Sequence, residues 1–307
     1  MNAHKLTPAL LLVLLGLPAL TYAQRIKQDL KLQKSLAEMI RDFRGTAGIY
    51  VMNLKTGKFA SINGDSIFPT ASIVKVPILV GLFNQIEKGE LDYHQSLIYR
   101  EAIKYGGSGI MQYFKDSSTT ELSVLAHLMM SYSDNTTSLW NQQLAGGGEQ
   151  INRLMEKYGL QHTRVNSRTK GREDIWKKYG WGQTTPREMA SLLVKIRNGE
   201  IVSKAASERM YRLMTKGYYD EDALSQIPPY IQAAAKSGAV DASRSEVVLV
   251  NAPSGDYVFY IGTKDNTDQS WDRNNEGQAL IRRVSSYLWS YFEPKNRWKA
   301  IDKQGDD

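Results

Sequence analysis

Two places in the chain set a serine three residues ahead of a lysine: Ser72 with Lys75, and Ser167 with Lys170. On a helix that spacing puts both side chains on one face, a turn apart. A lysine that has lost its proton there is a base able to activate the hydroxyl. Context separates the two pairs. Ser72 opens an apolar run through Ile73, Val76, Ile78, Leu79, Leu82, Phe83 and Ile86, the pattern of a buried helix. Burial strips water from an ammonium and lowers its pKa toward the range of a useful base. The positive end of the helix dipole at Ser72 also favours an oxyanion. Ser167 lies in AsnSerArgThrLysGlyArgGlu, a charged stretch that cannot keep a lysine dry. The chemistry expected at Ser72 is therefore acyl transfer, with Lys75 taking the serine proton.

Other chemistries lack their residues. The chain has no cysteine, which removes thiolate nucleophiles, thiolate zinc sites and disulfides. Its four histidines are isolated and show no ligand spacing, and His127, inside an apolar helix, reads as a core residue. Ser108 sits in GlyGlySerGly and misses the last glycine of a nucleophile elbow, and Gly146 to Gly148 has no following lysine for a phosphate loop. No metal or cofactor is expected. A net charge of +7 with scattered basic residues describes a solvated surface drawn weakly to anionic polymers such as a cell wall, rather than one built for nucleic acid.

The elements that must position the pair follow from periodicity. Gln28 to Phe43 reads as a polar helix, Gly48 to Leu54 and Phe59 to Asn63 as strands around a LysThrGly turn, and Ser72 to Lys88 as the buried helix closed by Gly89. From 119 to 215 the reading is helix after helix: Thr119 to Met130 is one, and Pro186 to Arg197, with proline in its first turn, is another. Glu246 to Asn251 and Asp256 to Gly262 flank a ProSerGly turn as a hairpin, and Gln278 to Phe292 is a final amphipathic helix. Strands at both ends with helices between predict an α/β (α+β) fold. An antiparallel sheet built from both ends carries helices on its faces, an all-helical lobe fills the middle, and the active site lies where they meet.

Two more motifs follow in order: SerAspAsn at Ser133 to Asn135, between helical segments, and LysSerGly at Lys236 to Gly238, ahead of the hairpin. With SerXXLys before them and ThrThrPro at Thr184 to Pro186, the chain resembles class A β-lactamases and the penicillin-binding proteins related to them, over nearly its whole length. The resemblance implies Ser72 as nucleophile with Lys75 as its base, and the amides of Ser72 and Ala239 as the oxyanion hole. Ser133 would pass a proton to the leaving nitrogen, assisted by Lys236. Asn135 would hold the acyl side-chain amide, and Asp134 would brace the loop. Lys236 and Ser237 would receive the substrate carboxylate, helped by Arg244 across a one-residue gap.

One departure bears on substrate fate. Class A β-lactamases carry a glutamate on the loop before ThrThrPro that activates the water releasing the acyl group. Aligned without a gap from Thr163 to Pro186, that place holds Thr169, and Glu173 stands where the family has an asparagine. A hydroxyl is no general base near neutral pH, so slow release of a penicilloyl group is expected, as in a penicillin-binding protein or DD-peptidase. The alternatives are a true β-lactamase with Glu173 as deacylation base, and a module that binds penicillin without turnover. The expected partners are a β-lactam or a peptidoglycan stem peptide ending in D-Ala-D-Ala, handled by a monomer.

Residues 1–23 read as a signal peptide: Lys5, an apolar run from Ala9 to Leu20, then small Thr21 and Ala23 at a cleavage site. Export to the periplasm or medium is expected, with no integral membrane segment left after cleavage. The catalytic domain is then 24–293, with an α/β lobe at about 24–69 and 216–293 and an all-α lobe at about 70–215, and 294–307 is a polar tail.

Overall fold

The computed structural model describes residues 26–300, so the expected signal peptide and the end of the tail fall outside the described residues. The chain enters through a short strand β1 (Lys27–Gln28) and helix α1 (Leu30–Ile40), whose first turn is capped by the Asp29 carboxylate accepting from Leu32 N. Strands β2 (Thr46–Asn53) and β3 (Lys58–Ile62) make a hairpin, and β4 (Phe68–Pro69) leads into a 3₁₀ turn, Ala71–Val74. Helix α2 (Lys75–Glu87) follows directly. The expected helix from Ser72 thus has a tighter first turn. Pro77 stands third in α2, early enough that a missing N–H costs little.

The middle of the chain holds β5 (Ser96–Ile98), β6 (Thr119–Glu121), α3 (Leu122–Ser131), α4 (Asn135–Leu144) and α5 (Gly147–Lys157). A loop region then carries β7 (Arg164–Val165), α6 (Glu173–Tyr179) and β8 (Gly182–Thr184), and α7 (Pro186–Arg197) and α8 (Lys204–Met214) close it. Two expectations need correction here. Thr119 to Glu121 is strand, not helix, because these residues pair with Ser96 to Ile98 and the β-branched Thr119 and Thr120 suit that pairing. His127 lies on the exposed face of α3, not in the core, since Leu125, Ala126, Leu128 and Met129 take the inward positions.

Strands β9 (Ala233–Val240), β10 (Ser243–Val250) and β11 (Tyr257–Lys264) return to the sheet, and α9 (Glu276–Phe292) ends the fold. The sheet order is β1-β3-β2-β11-β10-β9, antiparallel except for β1 against β3. Strand β2 pairs with β11 from Thr46↔Lys264 to Asn53↔Tyr257, which joins the two ends of the chain. Alternate residues of the late strands feed two cores. Val247, Leu249 and Val258 meet the helices of the middle, whereas Val248, Val250 and Phe259 meet Leu32 and Leu36 of α1 and Leu280, Val284 and Leu288 of α9. Helix α2 is the axis of the first core: every residue from Lys75 to Phe83 is buried. Strand β9 is the edge that faces the start of α2, and that meeting places the site.

Candidate active site

Lys75 has no exposed surface, yet its Nζ is surrounded by oxygen. It lies 2.8 Å from Ser72 Oγ, 2.7 Å from Ser133 O, 3.1 Å from Ser133 Oγ and 3.0 Å from Asn135 Oδ1. Asn135 Nδ2 donates to Gly106 O at 3.1 Å, which turns its carbonyl oxygen toward the lysine. This arrangement suits a neutral amine. Its two N–H bonds answer the two obligate acceptors, Ser133 O and Asn135 Oδ1, and its lone pair is left for a serine hydroxyl. Burial is the main force holding the Lys75 pKa well below the lysine range, the nearby Lys236 charge adds to it, and Asp134 opposes it.

Lys236 stands on β9, 4% exposed, with its Nζ donating to Ser237 O at 3.0 Å. Burial pushes its pKa down to about 8, against the raising influence of Glu246. Glu246 is itself buried on the other face of the sheet, accepts from Ala223 N at 2.8 Å, and is pushed up to about 8 by the same loss of solvent. Ser237 is the cross-strand partner of Glu246 and is half-buried, one residue from Lys236 and on the opposite strand face.

Glycine at 238 sets the spacing between β9 and the turn that bears Ser72. A Cβ there would collide with Thr70 O and lie 3.0 Å from Ser72 N, so any side chain would force the strand away. Ala239 and Ser72 then line one cleft of about 680 Å³ together. Ala71, just before the nucleophile, and Ser133 both hold left-handed φ angles, 42° and 51°. Such conformations cost about 1–3 kcal/mol each and persist where the surroundings over-determine them. At Ser133 the surroundings are visible: Asp134 Oδ1 caps α4 through Thr137 N at 2.8 Å, and Oδ2 accepts from Met111 N at 2.7 Å. Asp134 therefore braces the loop, as the resemblance implied.

Ser72, Lys75, Ser133, Asn135, Lys236 and Ala239 are brought together. Five other residues are not. Arg244 is only 1% exposed, and its guanidinium is spent on the carbonyls of Val240, Asp241, Ser243 and Ser270 while stacking on Trp271 at 4.5 Å. It points beneath the β9–β10 turn and does not line the cleft, so its expected part in carboxylate binding is set aside. Thr169 is buried, donates to Ser167 O at 3.0 Å, and packs so tightly on Gly148 that a Cβ there would overlap its hydroxyl. Glu173 is exposed at the start of α6 and accepts from Gly171 N at 3.1 Å. Ser167 is locked to Gln142 by its Oγ and its carbonyl, and Lys170 is exposed, so the second serine–lysine pair is no site.

The cleft also holds residues that sequence spacing did not single out. Trp181 lies with its ring centroid 5.8 Å from Lys75 Nζ and meets Tyr105 edge-on at 5.1 Å. Lys178, Lys264 and Asp265 also line it. They come from three separate stretches, and no local pattern announces them.

Fold and site together define an active-site serine hydrolase of the class A β-lactamase-like kind. The pattern of the β-lactamase enzyme family matches residues 31–292, and the chain belongs to that family. β-Lactamase VEB-1 of Pseudomonas aeruginosa is 21% identical over 300 residues, covering 94% of this chain and 99% of that protein. The solved structure of PBP-A superposes with a TM-score of 0.77 at 28% identity, over 87% of this chain and 97% of PBP-A. A leucine-to-glutamate variant of PBP-A, solved as its acyl-enzyme complex with penicillin G, gives a TM-score of 0.78 at 28% identity, over 88% of this chain and 98% of that one. Among the described residues no helix is long and apolar enough to cross a membrane.

Proposed function

We propose that this enzyme opens β-lactams, and the D-Ala-D-Ala peptides they mimic, through an ester on Ser72, and that it releases the β-lactam acyl group slowly. The observation that carries the reading is the contrast around Lys75. Its Nζ bridges Ser72 Oγ and Ser133 Oγ, while neither Thr169 nor Glu173 lines the cleft.

In the first step neutral Lys75 takes the Ser72 proton over 2.8 Å as Oγ bonds to the carbonyl carbon. The oxyanion is received between the amides of Ser72 and Ala239. The proton then passes from Lys75 to Ser133 Oγ, 3.1 Å away, as Ser133 gives its own to the leaving nitrogen and the C–N bond breaks. Lys236, still an ammonium below about pH 8, holds the substrate carboxylate, while Ser237, on the opposite strand face, is given no part in it. Asn135, which lines the cleft, receives the acyl amide. Release of the ester needs an activated water, and the one carboxylate among the lining residues is Asp265, next in the chain to Lys264. PBP-A, a penicillin-binding protein by name, supports the slow-release reading, whereas the relationship to VEB-1 is the argument for faster turnover. We further propose an exported monomer, with 24–293 as the catalytic unit.

Time-resolved mass spectrometry with benzylpenicillin tests this. A penicilloyl adduct on Ser72 that outlasts many acylation times is expected, and Ser72→Ala abolishes it. Labelling that survives in Ser72→Ala, or an adduct that never accumulates while the drug is consumed, would overturn the reading.

A further inference from the structure

Strand β9 gives the cleft a direction. Along β9, Lys236 comes first, then Gly238 against the turn that bears Ser72, then Ala239 in the cleft. Beyond Gly238 the strand advances about 3.3 Å per residue, through Ala239 to Val240, and the lining continues with Ala242, Ser243, Lys264 and Asp265. If the leaving nitrogen and its carboxylate lie at Lys236, the acyl side chain must extend to this opposite end. Two lysines meet it there.

Lys264, half-buried at the end of β11, is held in place: its Nζ donates to Ile67 O at 2.9 Å and lies 4.9 Å from the centre of the Phe68 ring. Lys178, at the end of α6, is exposed, lines the same cleft and lies 5.2 Å from the Tyr179 ring centre. Neither makes an ion pair among the described residues, although Asp265 is the next residue to Lys264. Asp265 is the sole acid among the lining residues, so the cleft lining bears two ammonium groups against one carboxylate. Charges gathered in a cleft with low-dielectric walls are felt more strongly than the same charges on an open surface.

We propose that this end is a specificity pocket for an acyl side chain bearing a carboxylate, with Lys264 as its anchored cation and Lys178 as the second. The proposal rests on acylation at Ser72 and adds the substrate class to it. In a peptide, the pocket receives the residue before the scissile pair, and it favours a side chain ending in a carboxylate over one ending in an amine.

Three penicillins that differ only at the side-chain α-carbon, bearing a carboxylate, a hydrogen or an ammonium, provide the test. Second-order acylation constants are measured at a pH that keeps the amine protonated. The expected order is carboxylate, hydrogen, ammonium, with the extremes apart by about tenfold, the factor given by a unit charge a few ångströms from a partly screened partner. Lys264→Met should cut the carboxylate-to-ammonium ratio several-fold, and the double variant with Lys178→Met should bring it near one. In the wild type, raising the ionic strength should shrink the ratio as well, a readout that does not depend on how a variant folds. Three indistinguishable constants, or a ratio untouched by the double variant and by salt, would remove the pocket while leaving acylation intact. The lack of any adduct with all three would remove both the pocket and the function on which it rests.

Discussion

Two regions of this molecule border the same cleft and treat their polar side chains in opposite ways. Around Lys75, four oxygens from three residues point at one nitrogen, and a helix start, a 3₁₀ turn and a strained serine are held to keep them there. In the loop from Thr163 to Thr185 the polar groups turn into the loop itself or onto α4 and α5 behind it. Ser167 answers Gln142, Arg172 answers Asn166 and Gln183, Thr169 faces Gly148, and Glu173 folds back on Gly171. The first region gathers its polar groups around one nitrogen, and the second spends them on the loop and the helices behind it; on the proposed reading, that difference separates making the ester from breaking it.

The comparison can be broken at several points. The largest effect is expected at Lys75→Met, which removes the base from the first region: acylation should fall by ~10²–10⁴-fold, the usual loss for a positioned general base. A smaller loss, read from the rate of adduct formation, would show that another group takes the serine proton. Next comes Thr169→Glu. The slot against Gly148 is already full, so the longer carboxylate has to leave it, and entry into the cleft should speed deacylation by at least about tenfold. Unchanged single-turnover release would mean that the loop holds this position away from the ester.

A milder test uses pH. Acylation should rise as pH climbs through the depressed Lys75 value, because only the neutral amine accepts a proton. It should fall again as pH passes about 8, where Lys236 loses the charge that holds the carboxylate. Lys236→Arg should move the alkaline fall upward, and an unmoved fall would assign it elsewhere. The smallest effect is expected at Glu173→Gln: less than about twofold in deacylation, within the range of surface changes away from any site. A collapse of release in that variant would reverse the comparison and make the loop a working part of a true β-lactamase.

Much of the first region was legible in the sequence. SerXXLys, SerAspAsn and LysSerGly are short, ordered signals, and each sits at the start or edge of an element that periodicity locates. The apolar run behind Ser72 also foretold that Lys75 would be dry. The errors have a common cause. Arg244 was placed at the cleft because its strand and its neighbours are right, but its guanidinium is claimed by turn carbonyls that no residue pattern displays. His127 lies in a helix apolar enough to suggest burial on every side, and only packing shows which face is left over. Thr119 to Glu121 became a strand through pairing with residues more than twenty positions earlier.

What the sequence determined by itself is therefore local: which serine has a lysine one turn on inside an apolar run, and which elements carry the three motifs. These depend on residue type and near spacing, through helix periodicity and the cost of burying an amine. The tertiary structure alone decided where side chains spend their hydrogen bonds. It turned Thr169 toward Gly148 and Arg244 beneath its turn, and it joined Lys178, Trp181 and Lys264 from distant stretches around one cleft. The physical reason is that a buried polar group must find a partner, and the nearest partner in space is set by packing rather than by order along the chain.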